Sequence, residues 1–276
     1  MTHPSSPPAS TPSAPVAEPA TAGPERVPWS ILGPDFIAKW GRPRGKTMPE
    51  HLEILGQSGS GKSFFELCIL LQRQRARGSH IVVLATKPAD ETVSATGWPV
   101  IQKWPPGEGT GTAHIYWPPA GGLTVEAQKQ QAASLYQLLD KLWRPEANII
   151  VVFDEIADFC TDLNFPPETP MRTTITRYYR EARALGITIV ASTQRPQGVV
   201  RQVHSESSWT VCFAPKDEED AERMAQVLGG KKTYMPILQT LDREKYEFLI
   251  VHGLTGKMFI SWIDHPMPPP VKNNKR

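Results

Sequence analysis

The stretch Gly56-Gln57-Ser58-Gly59-Ser60-Gly61-Lys62-Ser63 constrains this chain more than any other. It matches G-x4-G-K-[ST] in full, with the strand-like run Leu52–Leu55 before it and a helical pattern, Gly61–Ala76, after it. The spacing has a physical reason. Glycines let successive backbone N–H groups turn inward around phosphate oxygens. The N-terminus of the next helix adds partial positive charge at the same point. Lys62 is placed to reach the β and γ phosphates of a nucleoside triphosphate, and the Ser63 hydroxyl to hold a magnesium ion. All eight residues, Gly56 to Ser63, are therefore candidates for nucleotide binding.

The rest of the chain supplies the sheet that such a loop needs. Apolar runs at Ile81–Ala85, His114–Trp117, Ile149–Phe153, Ile187–Ser192 and Thr210–Phe213 read as strands. Helical patterns at Val125–Leu142, 170–185 and Asp217–Leu228 lie between or after them. Glu247–Val251 and Met258–Ile263, either side of Gly253 and Gly256, read as a C-terminal β-hairpin. Fully apolar strands separated by helices indicate an α/β fold with a mainly parallel sheet, covered by helices on both faces.

In such sheets ligands bind outside the carboxyl ends of the strands. Two further strands carry polar groups to that edge. Ile149-Ile-Val-Val-Phe153 runs into Asp154-Glu155. Asp154 is placed to hold the magnesium through water, and Glu155 to orient and deprotonate an attacking water. Both carboxylates downstream of a complete phosphate loop point to a hydrolase. Ile187-Thr-Ile-Val-Ala runs into Ser192-Thr193-Gln194-Arg195-Pro196, where Gln194 can hydrogen-bond a γ-phosphate or its water and report nucleotide state. A GTPase would need an Asn/Thr-Lys-x-Asp motif to read its base. Thr86-Lys87-Pro88-Ala89-Asp90 places the Asp one position late, so the expected nucleotide is ATP.

These three motifs, in this order, resemble the FtsK/HerA superfamily of P-loop motors that move DNA. The most specific stretch is Arg183-Ala-Leu-Gly186-Ile-Thr-Ile-Val-Ala-Ser-Thr-Gln-Arg-Pro196, similar to the family segment that ends in Ala-Thr-Gln-Arg-Pro. Thr86-Lys87 stands where that family has Asp-Pro-Lys at a strand end. The resemblance runs from about His51 to Ile263. It implies a RecA-like sheet, Glu155 as catalytic base, Gln194 as sensor, a hexameric ring and double-stranded DNA as the partner. It also implies a minimal motor of the phage-packaging or mobile-element type, docking on a portal or membrane complex.

Motors of this kind borrow an arginine from the neighbouring subunit to stabilise charge on the transferring phosphate. At 100° per residue, Ile175, Tyr178, Ala182 and Leu185 share one face of the 170–185 helix, while Arg172, Arg180 and Arg183 fall on the other. Arg180 is the most nearly opposite, and Arg183 precedes the Ala-x-Gly turn where the family also has Arg. Either can serve as that residue; the alternative is a solvated basic face. For DNA, the candidates are the Pro-rich segment Cys160–Met171, Arg195, Arg201 and the pair Lys231–Lys232, each of which reads more readily as ordinary surface charge than as a phosphate contact.

Composition sets the boundaries. Of 28 prolines, eight lie in residues 1–28 and four between Pro266 and Pro270. Residues 1–28, rich in Pro, Ala and Ser, cannot bury enough surface to offset chain entropy and are expected to be a disordered tail, as is the basic segment 266–276. Residues 29–265 then form the motor domain, with Trp29, Ile31, Phe36, Ile37 and Trp40 packing on the residues after them. No run approaches a transmembrane length, so no membrane insertion is expected. Cys68, Cys160 and Cys212 form no CxxC pair, which fits a reducing cytoplasm and no zinc site. A net charge of +2 gives no global nucleic-acid signature, although local patches matter more than totals. A second reading remains: an ATP-gated assembly, or a secretion or conjugation ATPase acting on a protein complex.

Overall fold

A computed structural model describes residues 23–40, 49–77, 79–85, 96–108, 110–117, 124–160, 170–266 and 268–269. Ten strands form one sheet: β1 (Glu25–Arg26), β2 (His51–Leu55), β3 (His80–Leu84), β4 (Val100–Ile101), β5 (Ala113–Tyr116), β6 (Ile149–Phe153), β7 (Ile187–Thr193), β8 (Ser207–Phe213), β9 (Phe248–His252) and β10 (Met258–Ser261). The order across the sheet is β1-β10-β9-β8-β2-β7-β6-β3-β5-β4. From β8 to β4 every pairing is parallel; β9 joins antiparallel to β8, and β10 antiparallel to β9. The helices are α1 (Trp29–Lys39), α2 (Lys62–Arg77), α3 (Val125–Leu142), α4 (Met171–Glu181), α5 (Arg201–Glu206), α6 (Glu218–Val227) and α7 (Lys231–Leu238).

The central parallel strands are mainly apolar because both sheet faces are covered there. Side chains alternate between two cores. Val82, Leu84, Ile149, Val151, Phe153, Ile187 and Ile189 meet α3 and α4 on one face. Ile81, Val83, Ile150, Val152, Val190, Leu52 and Ile54 meet α1 and α2 on the other. A third cluster, around Leu55, Cys212, Met224, Leu238, Leu249 and Ile260, packs α6 and α7 on the antiparallel end. The expected α/β architecture with helices on both faces and a C-terminal hairpin is what the structure has.

Several boundaries differ, each for a local reason. The helix expected over 170–185 is α-helical only to Glu181 and continues as a 3₁₀ turn, Ala182–Leu185, closed by Gly186 in the left-handed region at φ +80°. Its sheet face holds Ile175, Tyr178 and Ala182 as expected, and Tyr179 as well. The tail boundary at residue 28 lies too late. Glu25–Arg26 pairs in parallel with β10, Val27 N–H donates to the Ile260 carbonyl at 2.9 Å, and Arg26 forms an ion pair with the buried Glu247 at 2.5 Å. A two-residue charged edge strand leaves no hydrophobic pattern to read. Residues 1–22 and 270–276 lie outside the described residues, as do Thr86–Asp90 and most of the segment proposed for DNA contact, 161–169. Trp29, Phe36, Ile37 and Trp40 are buried, with Trp29 edge-on to Phe65 and Phe248; Ile31 is exposed. Trp98 and Trp104 are buried too, as packing residues should be. Among the described residues no helix is long and apolar enough to cross a membrane.

Candidate active site

Topology brings the three motifs together. β2 lies between β7 and β8, and β7 separates β2 from β6. Leu55 is in register with Thr193 of β7, and Phe153 of β6 with Ala191. The loop after β2, the pair Asp154-Glu155 after β6 and Gln194 after β7 therefore leave the sheet side by side at one edge. They surround a cavity of about 620 Å³, lined by Gln57, Ser58, Gly59, Gly61, Lys62, Ser63, Asp154, Glu155 and Gln194, with Phe64, Phe213, Tyr246 and Ile263 completing it. Such a volume suits a nucleotide.

The loop is built as its sequence requires. Gly59 and Gly61 have φ of +77° and +98°, a region other residues enter only with strain. At Gly61 a β-carbon would also meet Tyr246 at 3.2 Å and Phe213 at 3.3 Å. Gly56 is buried, and a β-carbon there would come within 2.7 Å of the Ser60 hydroxyl and 2.9 Å of Phe213. Lys62 is buried at the start of α2, its ammonium donating to the Gln57 carbonyl at 3.3 Å. The buried Ser60 hydroxyl finds no partner among the described residues. A buried lysine beside an unmatched hydroxyl, at the N-terminus of α2, suits an anionic ligand of polyphosphate type. Ser63 and Asp154 line the same cavity and supply the hard oxygen donors that magnesium takes. Both groups therefore fit the residues present.

Glu155 is held in place by β7. Thr193 Oγ1 donates to its Oε1 at 2.5 Å, and the Gln194 N–H donates to its Oε2 at 3.0 Å. Thr193 Oγ1 in turn accepts from the Arg195 N–H at 3.0 Å. A carboxylate has about four lone-pair positions, so two bonds leave capacity to accept from a water. Thr193 is fully buried, and motif reading passes over it although it sits beside Gln194.

Other contributors are invisible to motif reading. Gln57 donates its amide to Asp220 near the start of α6, tying the phosphate loop to that helix. Phe213, Tyr246 and Ile263 come from 150 residues or more down the chain to form the apolar end of the cavity. Tyr246 is exposed and stands at φ +54° in a turn that Asp242 braces by accepting from the Glu244 and Lys245 N–H groups. A second cavity of about 900 Å³ adjoins the first through Gln57, Glu155 and Gln194, and reaches Arg195, Asp220 and Arg223.

Arg180 of α4 and Arg183 of its extension line neither of these cavities. Arg180 is exposed, whereas Arg183 is half-buried and paired with Glu206 at 3.3 Å. Cys68, Cys160 and Cys212 are free and buried. Burial pushes the Cys68 thiol up to about 12 and the Cys160 thiol to about 11, which leaves them unreactive.

No protein-family model matches the chain, and no curated protein matches it by sequence. Solved structures do resemble it. The DNA-packaging ATPase B204 from Sulfolobus turreted icosahedral virus superposes with a TM-score of 0.57 at 14% identity, covering 78% of this chain and 98% of that one. VirB4 of Thermoanaerobacter pseudethanolicus gives 0.56 at 11% identity, covering 82% and 92%. The pCW3 conjugation coupling protein TcpA, bound to ATPγS, gives 0.50 at 20% identity, covering 78% of this chain and 61% of that one. At these identities the likeness is one of fold.

Proposed function

We propose that this chain is an ATP-hydrolysing motor that translocates DNA, of the packaging type. The observation that carries the reading is the shared cavity into which the phosphate loop, the Asp154-Glu155 pair and Gln194 all project. Similarity of fold to the DNA-packaging ATPase B204 supports the choice of DNA as the substrate that is moved.

Each residue has its own share of the work. Gln57, Ser58, Gly59 and Gly61 line the cavity and offer backbone N–H groups to the triphosphate, while the Gly56 and Ser60 N–H groups bond carbonyls of the fold, and Lys62 neutralises the terminal charge. Ser63 and Asp154 would hold a magnesium ion, which would supply charge neutralisation to the triphosphate. Glu155 accepts the proton of a water aligned with the γ-phosphorus. Gln194, bonded to Glu155 through its backbone, senses the γ-phosphate with its side chain. Arg180 or Arg183 completes the charge stabilisation from a neighbouring copy, since neither reaches the cavity of its own subunit. Arg180 is the readier of the two, because Arg183 would first have to leave Glu206. This requires a ring, which the family resemblance puts at six subunits. The motor runs from β1, at Glu25, to residue 265, and the segments on either side are left for docking on a portal-like or membrane complex.

The test is hydrolysis by two variants. Lys62→Ala should lose ATP binding. Glu155→Gln should bind ATP as well as the native protein yet hydrolyse it about 10²- to 10⁴-fold more slowly. A Glu155→Gln protein that turns over at the native rate would remove Glu155 from the role of base.

A further inference from the structure

β2 carries an acid where a core strand should be apolar. Glu53 is fully buried, yet it lies two residues ahead of the loop strand's end, flanked by Leu52 and Ile54. An ionised carboxylate there is costly unless it is paired. Its partner is His204 of α5, whose Nδ1 lies 2.7 Å from Glu53 Oε1. The other ring nitrogen, Nε2, lies 3.3 Å from the carbonyl oxygen of Pro196. A carboxylate and a carbonyl are both acceptors. A neutral imidazole has one N–H and can serve only one of them; an imidazolium serves both. The arrangement is thus complete only when the Glu53–His204 pair carries the extra proton.

What His204 holds matters for hydrolysis. Pro196 opens the 3₁₀ turn Pro196–Gly198, and its carbonyl also accepts from the Val199 N–H at 3.2 Å. Two residues earlier is Gln194, whose N–H bonds Glu155. Between them, the Arg195 N–H bonds Thr193 Oγ1, the same hydroxyl that bonds Glu155. A chain of contacts therefore runs from the buried strand β2, through Glu53 and His204, to the turn that positions both Glu155 and Gln194.

We propose that His204 is a positioning residue for hydrolysis: as an imidazolium it ties the Pro196 carbonyl to Glu53 and so fixes the turn that aligns Gln194 and Glu155. This rests on the proposed ATPase reading of the site. The charged surroundings are mixed. Glu53 faces the ring from β2, Arg201 and Glu206 flank it on its own helix, Arg183 reaches the same groove from the turn after α4, and Arg223 from α6. Tyr179 and Cys160 lie near Glu53 but remain neutral: burial pushes both up, reinforced at Tyr179 by the Glu53 charge and only partly offset at Cys160 by its bond with the Val200 backbone. His51, on the same strand, is also neutral, lowered to about 3 by burial and then by Arg183. Burial lowers the His204 pKa, but its bonds to Glu53 and Pro196 outweigh that, and the net shift is upward. The clamp is therefore intact at low pH and opens as pH rises through that elevated value.

The test compares kcat for ATP across pH 6 to 9 in the native protein, His204→Gln and Glu53→Gln. Native kcat should carry a component that falls with rising pH above about 6.5, the unperturbed histidine value. His204→Gln should lack that component and lose on the order of 10- to 100-fold in kcat, with KM within about twofold of native. Glu53→Gln should move the fall to lower pH. A His204→Gln protein with native kcat and pH profile overturns the proposal, as does one in which KM and kcat collapse together. A readout free of turnover accompanies it: NMR titration of the His204 ring, with the Gln194 amide followed in the same spectra. The two should report one pKa. A Gln194 amide indifferent to His204 titration defeats the clamp even in an active enzyme, whereas a native protein without ATPase activity defeats the proposed function and leaves the amide test standing.

Discussion

Glu155 and Thr193 show how much of a catalytic position is decided by its neighbour. The acid is readable from its place after an apolar strand, but its orientation is not. The 2.5 Å bond from Thr193 Oγ1 fixes one carboxylate oxygen, the Gln194 N–H holds the other, and lone pairs remain to accept from a water. Thr193→Val keeps the shape and removes the hydroxyl. We expect kcat to fall by about tenfold, with ATP affinity preserved, in steady-state kinetics, and Thr193→Ser to restore it. Unchanged kcat in Thr193→Val would mean that the backbone bond from Gln194 positions Glu155 alone. Motif residues such as Lys62 and Asp154 are legible because their spacing is local. Asp220, Tyr246 and Phe213 are not, because only the fold brings them to the loop. The Glu53–His204 pair is another such case: the residues are 151 positions apart, and only the acid hints at a buried partner.

At the scale of elements, alternating apolar runs and helical periods identify the parallel strands and their covering helices. The elements that escape such a reading do so for physical reasons. α7 begins with two lysines and contains Pro236, so it reads as a basic surface pair rather than a helix. β1 is two charged residues long and is held by backbone pairing to β10 and by Arg26 on Glu247. The aromatic content of α1 is the better guide. Trp29 is fully buried against Phe36, Phe65 and Phe248, and its indole N–H donates to Gln72 at 3.3 Å, so α1 is part of the core that backs α2. Trp29→Ala should cost about 3–5 kcal/mol in urea unfolding. A loss below about 1 kcal/mol would mean that α1 docks loosely and does not support the helix that carries Lys62.

At the scale of the whole molecule, the proposed protein is a ring of P-loop domains in which ATP hydrolysis moves DNA. A net charge of +2 carries no such message, and one of the candidate DNA contacts, 161–169, lies outside the described residues. In the proposed motor the cavity is the hydrolytic centre, and Arg180 and Arg183, which line neither cavity there, are the reason it would need neighbours. Coupling to DNA is the central claim, and it is measured directly by steady-state ATP hydrolysis of the full chain with and without linear double-stranded DNA, using Lys62→Ala to set the background. The expected rate rises several-fold with DNA and saturates, with the increase absent in Lys62→Ala. ATP hydrolysis that double-stranded DNA leaves unchanged in both rate and sedimentation of the assembly would contradict it.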